Sequence, residues 1–93
     1  MGYEEELERL RKEINRLNKE IAEKIAQRVG VSKRLGDLKR EHGRPVVDPA
    51  RESLVYRQVR QLADRNGVDG EGLERVFQEI VRLCTEAQLE GRP

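Results

Sequence analysis

Leu7, Leu10, Ile14, Leu17 and Ile21 recur at steps of three and four, the spacing that gathers apolar side chains on one face of an α-helix. Ile25, Val29, Ser32, Leu35 and Leu38 carry the stripe on, with some drift around the axis. No proline interrupts the run before Pro45, and Gly43 supplies a natural stop. The first helix is therefore expected over about residues 4–42, ~55–60 Å at 1.5 Å per residue. The roughly 50 residues that follow cannot cover a stripe of that length. The pattern calls for a second copy of the chain.

Asp48-Pro49 opens a second helix, expected over about 49–65, with Asp48 as N-cap and Pro49 at the first helical position. Leu54, Val55, Val59 and Leu62 give it an apolar side, and Asn66-Gly67 ends it. Asp69 is the expected cap of a third helix over about 71–90, whose first turn Gly70 and Gly72 soften. Leu73, Val76, Phe77, Ile80, Val81, Cys84 and Leu89 form its stripe, with Gly91 and Pro93 as the stop. There is no strand alternation, low-complexity tract or internal repeat. The expected fold is all-α: one domain over 1–93, with one very long helix and two shorter ones in an intertwined antiparallel homodimer.

Composition sharpens the need for a partner. Of 93 residues 35% are apolar and 40% charged, and the aromatics are Tyr3, Tyr56 and Phe77. A chain so small and polar buries little core on its own. Such a composition also suits disorder, against which the regular apolar spacing argues. Cys84 and His42 are the single cysteine and histidine, too few for a structural zinc site or an internal disulfide. A reducing cytoplasm is the natural compartment. No apolar run approaches the ~20 residues of a membrane span, and the acidic start Glu4-Glu5-Glu6 is unlike a signal peptide. A soluble chain without membrane or regulatory domain is expected, so that feedback control would need a partner protein.

Net charge is only +1, but from Arg28 to Arg60 nine Lys/Arg face four acids. That excess suits either an anionic ligand or a solvated basic face. Arg28 and Lys39, eleven residues apart, project from one side of the first helix. Their Cα atoms would stand ~16 Å apart, and the space between the side chains fits a small dianion. Ser32 and Gly36 lie between them and leave room on the helix surface. Arg11, ~25 Å along the axis from Arg28, cannot reach that space in its own chain. If two first helices pair antiparallel about residue 22, however, Arg11 of one falls midway between Arg28 and Lys39 of the other. Asp48, Arg51 and Glu52 share one turn, where Arg51 can reach a carboxylate and Glu52 can accept from a ligand hydroxyl. Cys84 and Gln88 share a face of the third helix. For Gln88 a buried amide on a ligand and a surface residue are both open, and fraying of a helix end favours the surface.

Leu10-Arg11-Lys12-Glu13-Ile14 followed by Leu17 and Ile21, Arg28 with Lys39, the turn Arg44-Pro45-Val46-Val47-Asp48-Pro49-Ala50-Arg51-Glu52, and Phe77-Gln78-Glu79-Ile80 with Gln88 together resemble the small helical chorismate mutases. The likeness covers about residues 6–90 and rests on order and spacing. It implies an intertwined dimer with shared active sites that converts chorismate to prephenate, on the shikimate pathway to aromatic amino acids. Arg11 of a second copy, Arg28 and Arg51 would bind the two substrate carboxylates. Lys39 and Gln88 would donate to the ether oxygen, and Glu52 with the backbone near Asp48 would hold the ring hydroxyl. Ser32 and Cys84 would complete the substrate's surroundings. The reaction is a unimolecular rearrangement, so the resemblance implies no cofactor, no metal and no nucleophile.

Two positions depart from the family pattern. Cys84 stands where a serine commonly bonds a carboxylate, and a thiol is a weaker donor. Asn18 stands where an aspartate is common. Gly30 also costs the long helix ~1 kcal/mol against alanine. Two other readings compete: pyruvate elimination from isochorismate on the same fold, and a non-catalytic helical module for RNA or coiled-coil partners. The intact Asp48–Glu52 turn favours the mutase. The module reading leaves Arg11, Lys39, Glu52 and Gln88 unexplained, so no nucleic-acid partner is expected.

Overall fold

A computed structural model describes residues 2–90 and contains three helices: α1 Tyr3–Glu41, α2 Pro49–Asn66 and α3 Gly70–Glu90. The described residues contain no strand. Gly91 and Pro93, expected to stop α3, lie outside them.

The ends of the elements follow from local chemistry. Glu4, Glu5 and Glu6 sit in the first turn of α1 and Lys39 and Arg40 in its last, each charge favourable to the helix dipole. Gly43 takes a φ of 62°, the left-handed geometry that ends a helix without a side-chain clash. Asp48 caps α2 by accepting from Arg51 N at 3.1 Å, Pro49 follows at once, and Gly67 closes the helix at φ 66°. Asp69 Oδ2 accepts from Gly72 N at 2.8 Å and starts α3.

The C-terminal half of α1 lies parallel to α3, since Arg28 meets Cys84 while Gly36, Lys39 and Arg40 meet Gln88. α2 runs antiparallel to α3, tied by Arg60 Nε to Glu74 Oε1 at 3.0 Å. The molecule measures 61 × 28 × 15 Å with a radius of gyration of 17.3 Å, against about 12 Å for a compact chain of this length. Val59, Ala63, Cys84 and Ala87 are the buried apolar residues among those described. All are small or medium-sized, so one chain has almost no core.

The expected stripes are only partly covered. Leu10, Ile14, Leu17 and Ile21 are 45–56% exposed. Leu54, Leu62 and Val76 of the shorter helices are likewise 38%, 44% and 54% exposed. Each helix has one partner or two in this chain, too few neighbours to cover a full apolar face.

Candidate active site

Where α1 and α3 converge on the start of α2, they enclose a cavity of about 270 Å3. This is near the lower end of the range for small-molecule sites. α1 contributes Arg28, Ser32 and Lys39, α2 contributes Asp48, Arg51 and Glu52, and α3 contributes Cys84 and Gln88. Eight of the nine sequence candidates thus meet in one place. Arg11 does not; it is exposed on the far arm of α1.

Gln88 corrects the surface reading that helix-end fraying favoured, for only 7% of it is exposed. Lys39 Nζ donates to Gln88 Oε1 at 3.3 Å and to the Val46 carbonyl at 2.8 Å. An ammonium can only donate, so Lys39 fixes which end of the amide is oxygen. The amide nitrogen of Gln88 therefore remains a donor at the wall of the cavity. The space that Gly36 leaves is also filled differently from expectation. A Cβ there would fall 3.0–3.2 Å from Gln88 Cβ, Cγ and Cα. The missing side chain makes room for α3, which carries Gln88 to Lys39, and not for a ligand.

At the other end Arg28 Nη1 donates to Cys84 Sγ at 2.9 Å. The thiol is 3% exposed and acts here as an acceptor that orients the guanidinium. Asp48 has spent a side-chain oxygen on the cap of α2. Glu52 is thus the carboxylate best placed to meet a donor group of a ligand. Tyr56, one turn further along α2, has its phenol pushed above the ordinary value by burial first, then by Glu52 and Glu74, with Arg28 opposing. It stays protonated at neutral pH.

The apolar wall was not anticipated: Val31, Leu35, Val46, Val47, Val55 and Val81 also line the cavity, as does Thr85. Leu35, Val55 and Val81 belonged to the expected stripes, but periodicity does not distinguish a stripe that packs from one that faces a ligand. Charged donors on an apolar floor can bind a small anion in a setting drier than bulk water, where each donor acts more strongly.

The sequence of the chain matches a known group of enzymes. Residues 10–89 match the family model described as chorismate mutase type II. The chain belongs to that family, and so to the isomerases. It is 31% identical over 77 residues to a chorismate mutase of Methanocaldococcus jannaschii, covering 83% of this chain and 78% of that one. It is 34% identical over 83 residues to a bifunctional chorismate mutase/prephenate dehydratase of Aquifex aeolicus, covering 86% of this chain and 23% of that longer protein. A 4-amino-4-deoxychorismate mutase of Streptomyces venezuelae is 30% identical over 85 residues, 90% of this chain and 82% of its own.

Proposed function

We propose that the chain rearranges chorismate to prephenate in an intertwined dimer with two composite sites. The observation that carries this reading is the pairing of Lys39 with Gln88 inside the cavity, which leaves an ammonium and an amide N–H available to one ligand atom. In this reaction the ether C–O bond breaks as a new C–C bond forms within one molecule, and negative charge gathers on the ether oxygen. Lys39 and Gln88 stabilise that oxygen, where losing one preorganised donor typically costs about 2.7–4 kcal/mol. Arg28 and Arg51 hold the carboxylates and fold the enolpyruvyl arm over the ring, a positioning effect. Ser32 and Cys84 border the bound dianion, and Glu52, beside Asp48, accepts from the ring hydroxyl.

The exposed stripe from Leu10 to Ile21 supports antiparallel pairing of two α1 helices. In that pairing Arg11 of a second copy enters the cavity as a third cation for the carboxylates. The lyase and interaction-module readings are less favoured, since the relatives named above are mutases. The Streptomyces relative prompts a comparison of substrates. A carboxylate at Glu52 can accept from a hydroxyl or from an ammonium, so turnover of chorismate and of its 4-amino analogue should be compared directly.

The test of shared sites is complementation. Arg11→Ala and Lys39→Ala chains should each be nearly inactive, measured by the loss of chorismate absorbance. When mixed, about half the dimers are hybrids, and one of the two sites in each hybrid has both groups intact. Up to roughly a quarter of all sites should then recover. No recovery despite demonstrated subunit exchange would rule out a contribution from Arg11 across the dimer.

A further inference from the structure

Two consecutive residues of α1 hold the two ends of Gln88. Lys39 grips its side-chain oxygen, and Arg40 Nη1 donates to its main-chain carbonyl at 2.7 Å. Arg40 is only 26% exposed along its side chain, and its Nη2 is held by Asp37 one turn earlier. It does not line the cavity.

The last turn of α3 has no basic residue of its own. Its final carbonyls must find donors elsewhere, and the partial negative charge at that end favours a cation. Gly36 brings the two backbones close enough for Arg40 to serve, because α3 lies directly against the bare main chain of α1 there.

We propose that Arg40 is a positioning residue for the reaction. By bonding the Gln88 carbonyl from α1, it fixes the final turn of α3, and with it the height at which the Gln88 amide meets the breaking bond. Asp37 holds the guanidinium so that one edge always faces α3. This assignment rests on the role given to Gln88 under the proposed function.

The experiment is steady-state turnover of chorismate by the full dimeric chain, comparing Arg40→Ala, Arg40→Lys, Gln88→Ala and the double variant Arg40→Ala/Gln88→Ala. A small misplacement of a catalytic group is enough to lower kcat about tenfold. That loss is expected for Arg40→Ala, with KM held within about twofold. A lysine at 40 supplies a single ammonium nitrogen in place of a planar fork and cannot span both Asp37 and the Gln88 carbonyl in the same way, so Arg40→Lys should recover part of the loss. In the double variant the amide is already gone and its placement no longer matters. Its kcat should therefore fall within about twofold of Gln88→Ala alone.

A tenfold further loss in the double variant would show a general structural role and overturn the proposal. Wild-type kcat in Arg40→Ala would overturn it while leaving the mutase reading intact. Wild-type kcat in Gln88→Ala would remove Gln88 from the chemistry and overturn both assignments. If Arg40→Ala does not fold, Arg40→Met keeps the apolar stem, and the same cycle is read with it.

Discussion

The two halves of α1 are built from one continuous pattern and meet opposite fates. From Glu8 to Lys24 every residue is exposed, including all four stripe residues from Leu10 to Ile21. From Arg28 to Arg40 the helix is pressed against α3, with Ser32 and Gly36 buried and Arg28, Lys39 and Arg40 each bonded across. The first half is held within its own chain by surface pairs such as Arg9–Glu6 at 2.7 Å and Arg16–Glu20 at 3.0 Å. Each such pair contributes only about 0.3–0.5 kcal/mol. A half-helix with an apolar face and so little support is what the proposed pairing with a second copy would cover. Hydrophobic spacing specifies a buried face, but not which molecule buries it.

The comparison breaks most sharply if the exposed stripe is given charge. Ile14→Asp with Leu17→Asp places two carboxylates per chain in the proposed dimer seam, each costing several kcal/mol to bury unpaired. The expected outcome is loss of the dimer, of helicity and of activity together, the last by more than about a hundredfold. Sedimentation and circular dichroism run beside the absorbance assay decide it. A compact, active monomer would show that the C-terminal half of α1 suffices alone.

Much of this was legible in the residues. The three helices, the Asp48 cap and the Gly67 stop follow from patterns only a few residues long, and such patterns survive whatever the tertiary context. Eight candidate residues from three helices meet in one cavity because helical periodicity and the family resemblance together locate them. Less legible were features that depend on a neighbour. Gly36 reads from the sequence as room on the helix surface, and α3 fills that room. Gln88 reads as surface from its place near a helix end, and only the family resemblance puts it in the site, since its burial comes from α1 and not from its own helix. Arg40 was indistinguishable from the other cations of a basic stretch, because nothing in its spacing reveals that it reaches the main chain of Gln88.

The next effect in size concerns chemistry in the packed half. An amide donates at any pH, whereas a glutamate at 88 must first be protonated. Gln88→Glu is therefore expected to lower kcat by roughly a hundredfold at pH 7–8. Activity should recover as pH falls toward the carboxyl's pKa, which burial raises and Lys39 lowers. The wild-type profile should vary little between about pH 5 and 8, because the amide at 88 has no proton to gain or lose there. Turnover of both proteins from pH 4.5 to 8 is the measurement. Superimposable profiles would mean that the buried amide has no part in the reaction.

Gly36→Ala acts on the same contact without touching a polar group. The added Cβ would sit 3.0–3.2 Å from three atoms of Gln88, one of them main chain. α3 must shift to admit it, and such overpacking typically costs about 1–3 kcal/mol. Thermal unfolding should detect that cost. Because the displaced residue is Gln88, kcat should also fall, by about tenfold. A loss of stability with unchanged kcat would separate the packing of Gly36 from the placement of the amide.

Gly30→Ala is the smallest change and the cleanest contrast, being the same substitution on the same helix. A Cβ at Gly30 meets nothing within 4 Å, and the residue is exposed. What remains is backbone entropy, which makes alanine more favourable than glycine in a helix interior by about 0.5–1 kcal/mol. The expected result is a Tm raised by roughly 2–8 °C with kcat unchanged. The position also probes the dimer, because on helical geometry Gly30 lies on the opposite side of α1 from the Leu10–Ile21 stripe. If α1 pairs only through that stripe, nothing from the second copy approaches Gly30 and the stabilisation appears in full. A lowered Tm would show that the second copy wraps far enough around α1 to need the missing side chain, so that the seam is wider than the apolar pattern alone defines.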